Sequence, residues 1–155
     1  MKIKDYMILL AEDNDELYNR FIMLLNGKGC VVIASKTGEG LYRQVKAYSD
    51  RLEELIVVSD TDLPDTNGDQ VCRRLLEQDP MYKKLLIFGM SDNPDNERYW
   101  EGVGIINSFI YKGTDIASFN SRKNIAELVE ARLNEILGNP SVFRLQDGSY
   151  RRSVR

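Results

Sequence analysis

The chain has 155 residues, room for one compact domain and not for two catalytic ones. Hydrophobic residues make up 43% and charged residues 29%, which excludes the disordered and membrane classes, and 21 Lys and Arg against 24 Asp and Glu leave a formal charge of −3, which argues against a nucleic-acid partner. Histidine is absent, so a catalytic triad, a His-ligated zinc site and a phosphohistidine on this chain are excluded. Apolar runs of strand length occupy residues 7–11, 30–34, 55–58, 85–88 and 105–111, with helical patterns between most of them. After the first run, Leu17, Phe21, Leu24 and Leu25 fall on one helical face, and Gly27 with Gly29 supplies the stop. Val71, Leu75 and Leu76 define a further helix opening near Asn67, and a short helix opens at Pro94. The longest helical signal is the last: Ile125, Leu128, Val129, Leu133, Ile136 and Leu137, ending at Gly138 and Pro140.

Strands that read as continuous apolar runs, each followed by a helix, predict a parallel sheet covered on both faces and joined by right-handed crossovers. The fold expected is α/β, a doubly wound five-stranded parallel sheet with five helices over residues 1–138. Residues 139–155 carry four arginines against Asp147, a local charge of +3, and show no apolar period; they are expected to form a basic tail, mobile or the start of a linker. Cys30 and Cys72 lie far apart in apolar contexts and match no metal or redox spacing, so they read as buried free thiols. The apolar stretch over residues 6–11 is too short for a signal peptide or a membrane span and runs into Glu12 and Asp13. A cytoplasmic protein with no membrane attachment is the expectation.

Ligands of such sheets sit outside the carboxyl ends of the strands. Glu12 and Asp13 follow the first strand, Asp60, Thr61 and Asp62 the third, Ser91 and Asp92 the fourth, and Lys112 ends the fifth. Acidic side chains gathered there repel one another, which raises their pKa values unless a cation is present. All-oxygen donors with neither His nor ligating Cys select a hard divalent ion, and an open coordination sphere suits Mg²⁺. Taken singly, an acid at a strand end is also a helix cap, and Asp13 or Asn14 is placed to cap the helix that holds Leu17. Lys112 beside an acidic metal site would neutralise one further anion, such as a phosphoryl group, and a carboxylate can serve as nucleophile toward it, forming an aspartyl phosphate. Phosphoryl transfer needs chiefly positioning and charge neutralisation, so Mg²⁺, Lys112 and the hydroxyl of Ser91 would suffice around Asp60, which ends the central strand.

These residues, in this order and spacing, resemble the receiver domain of two-component response regulators, of the CheY-like kind. The matching text is Ile8-Leu-Leu-Ala-Glu-Asp-Asn14, Val57-Val-Ser-Asp-Thr-Asp-Leu-Pro-Asp-Thr-Asn-Gly68, Ile87-Phe-Gly-Met-Ser91 and Phe109-Ile-Tyr-Lys112, and the resemblance spans residues 3 to about 137. It implies a flavodoxin-like fold, Mg²⁺ held by Glu12, Asp13, Asp60 and the backbone carbonyl of Asp62, Asp60 as phosphoacceptor, and Ser91 and Lys112 as phosphoryl ligands. It also implies Phe109 as a switch aromatic that follows Ser91. The implied partners are a histidine kinase or histidine phosphotransfer protein and a downstream protein, with no nucleic acid bound by this domain and no turnover of an external substrate. Departures from the pattern are Asp62, beside the path of an attacking water, Asp92, which adds negative charge near an anionic ligand, and Gly113, where the family has a proline. Read without the resemblance, Phe109 is ordinary sheet filler, and Tyr99 with Trp100 is either a partner surface or packing. Two other classes fit parts of the pattern: a phosphorylation-independent receiver-like scaffold, and an Asp-x-Asp Mg²⁺-dependent enzyme of the phosphohydrolase or topoisomerase-primase nuclease type.

Overall fold

The computed structural model describes residues 2–103, 109–112 and 124–138. Five parallel strands form one sheet in the order 2-1-3-4-5: β1 is Met7–Ala11, β2 Val31–Ser35, β3 Leu55–Asp60, β4 Leu86–Ser91 and β5 Ile110–Tyr111. The α-helices are α1 at Asp15–Gly27, α2 at Gly38–Ala47, α3 at Gly68–Gln78 and α4 at Ile125–Gly138. Strand alternation divides the core in two. Ile8, Leu10, Ile56, Val58 and Met90 pack under α1 and α4, while Leu9, Ala11, Leu55, Val57 and Ile87 pack under α2 and α3. All six residues of β3 are buried, as a central strand covered on both faces requires.

Two strands start one residue later than the apolar pattern predicts, and the backbone explains both shifts. The N–H of Cys30 donates to the carbonyl of Leu25, so Cys30 closes α1 instead of opening β2. The N–H of Leu85 donates to Tyr82 and closes the 3-10 turn Pro80–Lys84 ahead of β4. Both cysteines are free and buried as expected, and burial pushes the Cys72 thiol up to about 12.

The helix predicted at Pro94 is a 3-10 helix, Pro94–Trp100, opened by Asn93, whose side chain accepts from the Asp95 N–H. Its last residue anchors it to the sheet. The Trp100 indole lies flat against Gly89, where an added Cβ would come within 2.3 Å of the ring. The indole N–H donates to Thr61 Oγ1 at 2.8 Å, and Thr61 Oγ1 donates in turn to the Met90 carbonyl at 2.7 Å. Trp100 is therefore packing, whereas its neighbour Tyr99 is 41% exposed. Gly89→Ala should cost about 1–3 kcal/mol by overpacking, read as a lower denaturant midpoint with an unchanged slope. The expectations for Gly113, for residues 105–108 of the fifth strand and for the tail at residues 139–155 lie outside the described residues. No helix among the described residues is long and apolar enough to cross a membrane.

Candidate functional site

The parallel register pairs Ala11 with Ser59, so the residues that follow, Glu12 and Asp60, leave the sheet side by side on the α1 and α4 face. β5 pairs with β4 through Ile110 and Met90, and Lys112, two residues beyond Ile110, emerges on that same face. Its ammonium meets both acids, at 2.9 Å from Glu12 Oε1 and 3.1 Å from Asp60 Oδ1. All three side chains are buried, with Glu12 fully so. Asn14, not Asp13, caps α1: its side chain accepts from the Leu17 N–H at 3.0 Å. Asp13 is thereby left exposed at the mouth of the site. Oxygen atoms of Glu12, Asp13 and Asp60 all lie within 4.8 Å of one another.

The loop after β3 is held from two sides. Gly68 sits so close to the end of the strand that a Cβ would meet the Asp60 carbonyl and Ser59 Oγ at 2.2 Å, which leaves no room for another residue. Asp65 accepts from the N–H groups of Gly38 and Glu39, capping α2, and these backbone bonds hold its carboxyl below the usual carboxylate range. The resulting cleft, about 480 Å³, is lined by Glu12, Asp13, Asn14, Leu17, Asp60, Asp62, Asp92 and Lys112.

Burial, reinforced by the charge of Glu12 and only partly offset by Lys112, pushes the Asp60 carboxyl up to about 8. Burial pulls the Lys112 ammonium down, but Asp60 and Glu12 outweigh it and hold the group above its ordinary value. Glu12 Oε1 takes the Lys112 ammonium and Oε2 accepts from the Asn14 N–H at 3.3 Å. Asp60 Oδ1 accepts from the Thr61 N–H at 3.1 Å as well as from Lys112, while Oδ2 has no donor among the described residues. One buried cation thus faces two buried carboxylates with a third at the rim. This donor set is hard, all-oxygen and short of positive charge, and it fits a divalent cation such as Mg²⁺.

The acids expected at the strand ends and Lys112 are therefore brought together in one cleft. Ser91 and Phe109 are not. Ser91 is fully buried and does not line the cleft; its Oγ accepts from the Asn93 N–H at 3.0 Å and from Asn96 Nδ2 at 2.8 Å. Phe109 lies in the core on the opposite sheet face, with Trp100 and Val103. The side chain of Asp62 accepts from the same Asn96 Nδ2 at 3.3 Å. Sequence reasoning missed Asn96 and the Thr61 to Trp100 bond. Asn96 sits in the polar run Ser91-Asp-Asn-Pro-Asp-Asn-Glu97, where composition gives no sign of which side chain turns inward.

No protein-family model and no curated protein matches the chain. Solved structures do match it in fold. A putative response regulator from Chloroflexus aurantiacus superposes with a TM-score of 0.64 at 23% identity, over 86% of this chain and 98% of that one. The chemotaxis protein CheY4 of Vibrio cholerae gives 0.62 at 15% identity, over 84% and 98%. The response regulator TrrA of Thermotoga maritima, solved in complex with Mg²⁺ and BeF, gives 0.57 at 14% identity, over 74% and 93%. The chain has the flavodoxin-like fold of CheY-like receiver domains, and the acidic cleft lies at the carboxyl edge of its sheet.

Proposed function

We propose that the chain is a response-regulator receiver that accepts a phosphoryl group on Asp60 in a Mg²⁺-dependent step and presents the change to a partner. The observation that carries this reading is the meeting of Glu12, Asp13 and Asp60 oxygens within 4.8 Å, with Lys112 bonded to two of the three acids. A structural ion pair would need one carboxylate per cation, and an excess of buried acids is costly unless a ligand neutralises it. The Asp-x-Asp enzymes named above lack the combination of Asp13, Ser91 and Lys112 in this order.

Glu12, Asp13 and Asp60 would hold Mg²⁺, with the backbone carbonyl of Asp62 as a further donor. Bound there, Mg²⁺ supplies positive charge that favours the ionised Asp60 and neutralises phosphoryl oxygens. Asp60 attacks phosphorus through Oδ2 while Oδ1 stays on the Thr61 N–H. The new bond is Oδ2 to phosphorus. The bond that breaks joins phosphorus to the imidazole nitrogen of a partner's phosphohistidine, whose electron pair returns to the ring; the ring regains its proton from solvent. Lys112 balances the charge of the acyl phosphate, and Ser91 is its hydroxyl ligand once it turns to the cleft. The module turns over no external substrate in this reading.

The donor is a histidine kinase or a histidine phosphotransfer protein, the product reports to a downstream protein, and the setting is the cytoplasm. Incubation with a phosphorylated histidine phosphotransfer protein and Mg²⁺, followed by borohydride reduction and peptide mapping, should convert residue 60 to homoserine. Reduction elsewhere, or none under conditions that discharge the donor, would overturn the assignment.

A further inference from the structure

The three-way contact among Asn96, Ser91 and Asp62 takes no part in the bonds that join Lys112 to Glu12 and Asp60, and it ties the buried Ser91 to an exposed residue of the cleft wall. Asn96 is 8% exposed and Ser91 fully buried. One amide nitrogen donates to Ser91 Oγ at 2.8 Å and to Asp62 Oδ2 at 3.3 Å, and the Asn93 N–H adds a second bond to the same Oγ. Both donors to Ser91, the N–H of Asn93 and the amide of Asn96, come from the 3-10 helix and its cap beyond β4, and Ser91 does not line the cleft that holds Asp60. Asp62 stands in the cleft wall itself. The amide therefore links the phosphoacceptor loop to the Ser91 loop in the arrangement in which Ser91 does not reach the cleft.

We infer that Asn96 is a positioning residue that latches Ser91 away from the cleft and so sets how readily an anionic group on Asp60 recruits that hydroxyl. This rests on the receiver reading above. A phosphoryl group offers Ser91 a charge-assisted bond, and a buried hydroxyl bond to a neutral amide is the weaker competitor. Asn96 opposes the movement by about one neutral hydrogen bond. Asp62 adds to the latch, because its carboxylate keeps the Asn96 amide in place.

The test uses Mg²⁺ and beryllofluoride as the phosphoryl mimic on the whole chain. Calorimetry on Asn96→Ala should show beryllofluoride bound roughly 2- to 10-fold more tightly than by the wild type, with Mg²⁺ affinity alone unchanged. In a Ser91→Ala background the same substitution should have no effect on beryllofluoride, a result that a merely structural role for Asn96 would not give. A second readout needs no variant: the side-chain amide resonances of Asn96 in the wild type should shift on adding beryllofluoride with Mg²⁺ and stay put with Mg²⁺ alone. Unchanged or weaker binding by Asn96→Ala, or amide resonances that never move while beryllofluoride binds, would overturn the latch and leave the receiver reading intact. A wild type that binds no beryllofluoride in the presence of Mg²⁺ would overturn both.

Discussion

Lys112→Met should destabilise the metal-free protein by about 3–5 kcal/mol near pH 8, the cost of leaving a buried charge without its partner. Lys112 is 5% exposed and bonded to both Glu12 and Asp60, so its loss leaves two carboxylates facing each other in a site from which water is largely excluded. Water cannot screen them, and the molecule's remaining response is to take up a proton on Asp60, which already holds one far above the usual carboxylate range. The loss should therefore shrink as the pH is lowered toward about 5, where Asp60 is neutral in either protein. Saturating Mg²⁺ should return part of the stability through Glu12, Asp13 and Asp60. Urea unfolding in chelator at the two pH values measures it. A loss below about 1 kcal/mol near pH 8 would mean that the ion pairs are open to solvent and that the acids do not share one buried cation.

The metal-free wild type should also become less stable as the pH rises. Asp60 titrates near 4 in an unfolded chain and near 8 in the fold, so between these values the native state holds a proton that the unfolded state has released. Its contribution to stability is complete below about pH 4 and is lost as the pH rises through about 8. Each pKa unit is worth about 1.4 kcal/mol, so this one carboxyl carries several kcal/mol across the window. Lys112 stays charged in both states there and adds no slope, since its ammonium is held above its ordinary value. Asp60→Asn should flatten the curve and melt well above the wild type at pH 8 in chelator. Millimolar Mg²⁺ should raise the wild type toward the variant and leave the variant's own midpoint much less affected. A wild-type midpoint that climbs from pH 5 to pH 8 in chelator would contradict the buried, proton-holding Asp60.

Glu12, Asp60 and Lys112 were legible in the sequence because two simple periodicities act together. Apolar runs mark where strands end, and alternation within them puts Glu12 with Ile8 and Leu10, and Asp60 with Ile56 and Val58, on one sheet face. The parallel, doubly wound arrangement followed from continuous apolar strands alternating with helices. What escaped the sequence depends on single rotamers and backbone bonds. The run from Asp92 to Glu97 is uniformly polar, so nothing in it distinguishes Asn96, which is buried, from Asn93, which caps the turn. Whether Ser91 faces the cleft or the 3-10 segment is a choice of one torsion, decided by two donors whose positions only the folded loop supplies. Trp100 read equally as partner surface or packing until Gly89, eleven residues earlier on the neighbouring strand, was seen to leave space for its ring.

The most direct test of Asp60 as a Mg²⁺-dependent phosphoacceptor is the intact mass of the protein after incubation with a small acyl phosphate donor. The account expects a gain of one phosphoryl group in the wild type with Mg²⁺, none in excess chelator and none in Asp60→Asn. The same gain in Asp60→Asn, or in chelator, would contradict it.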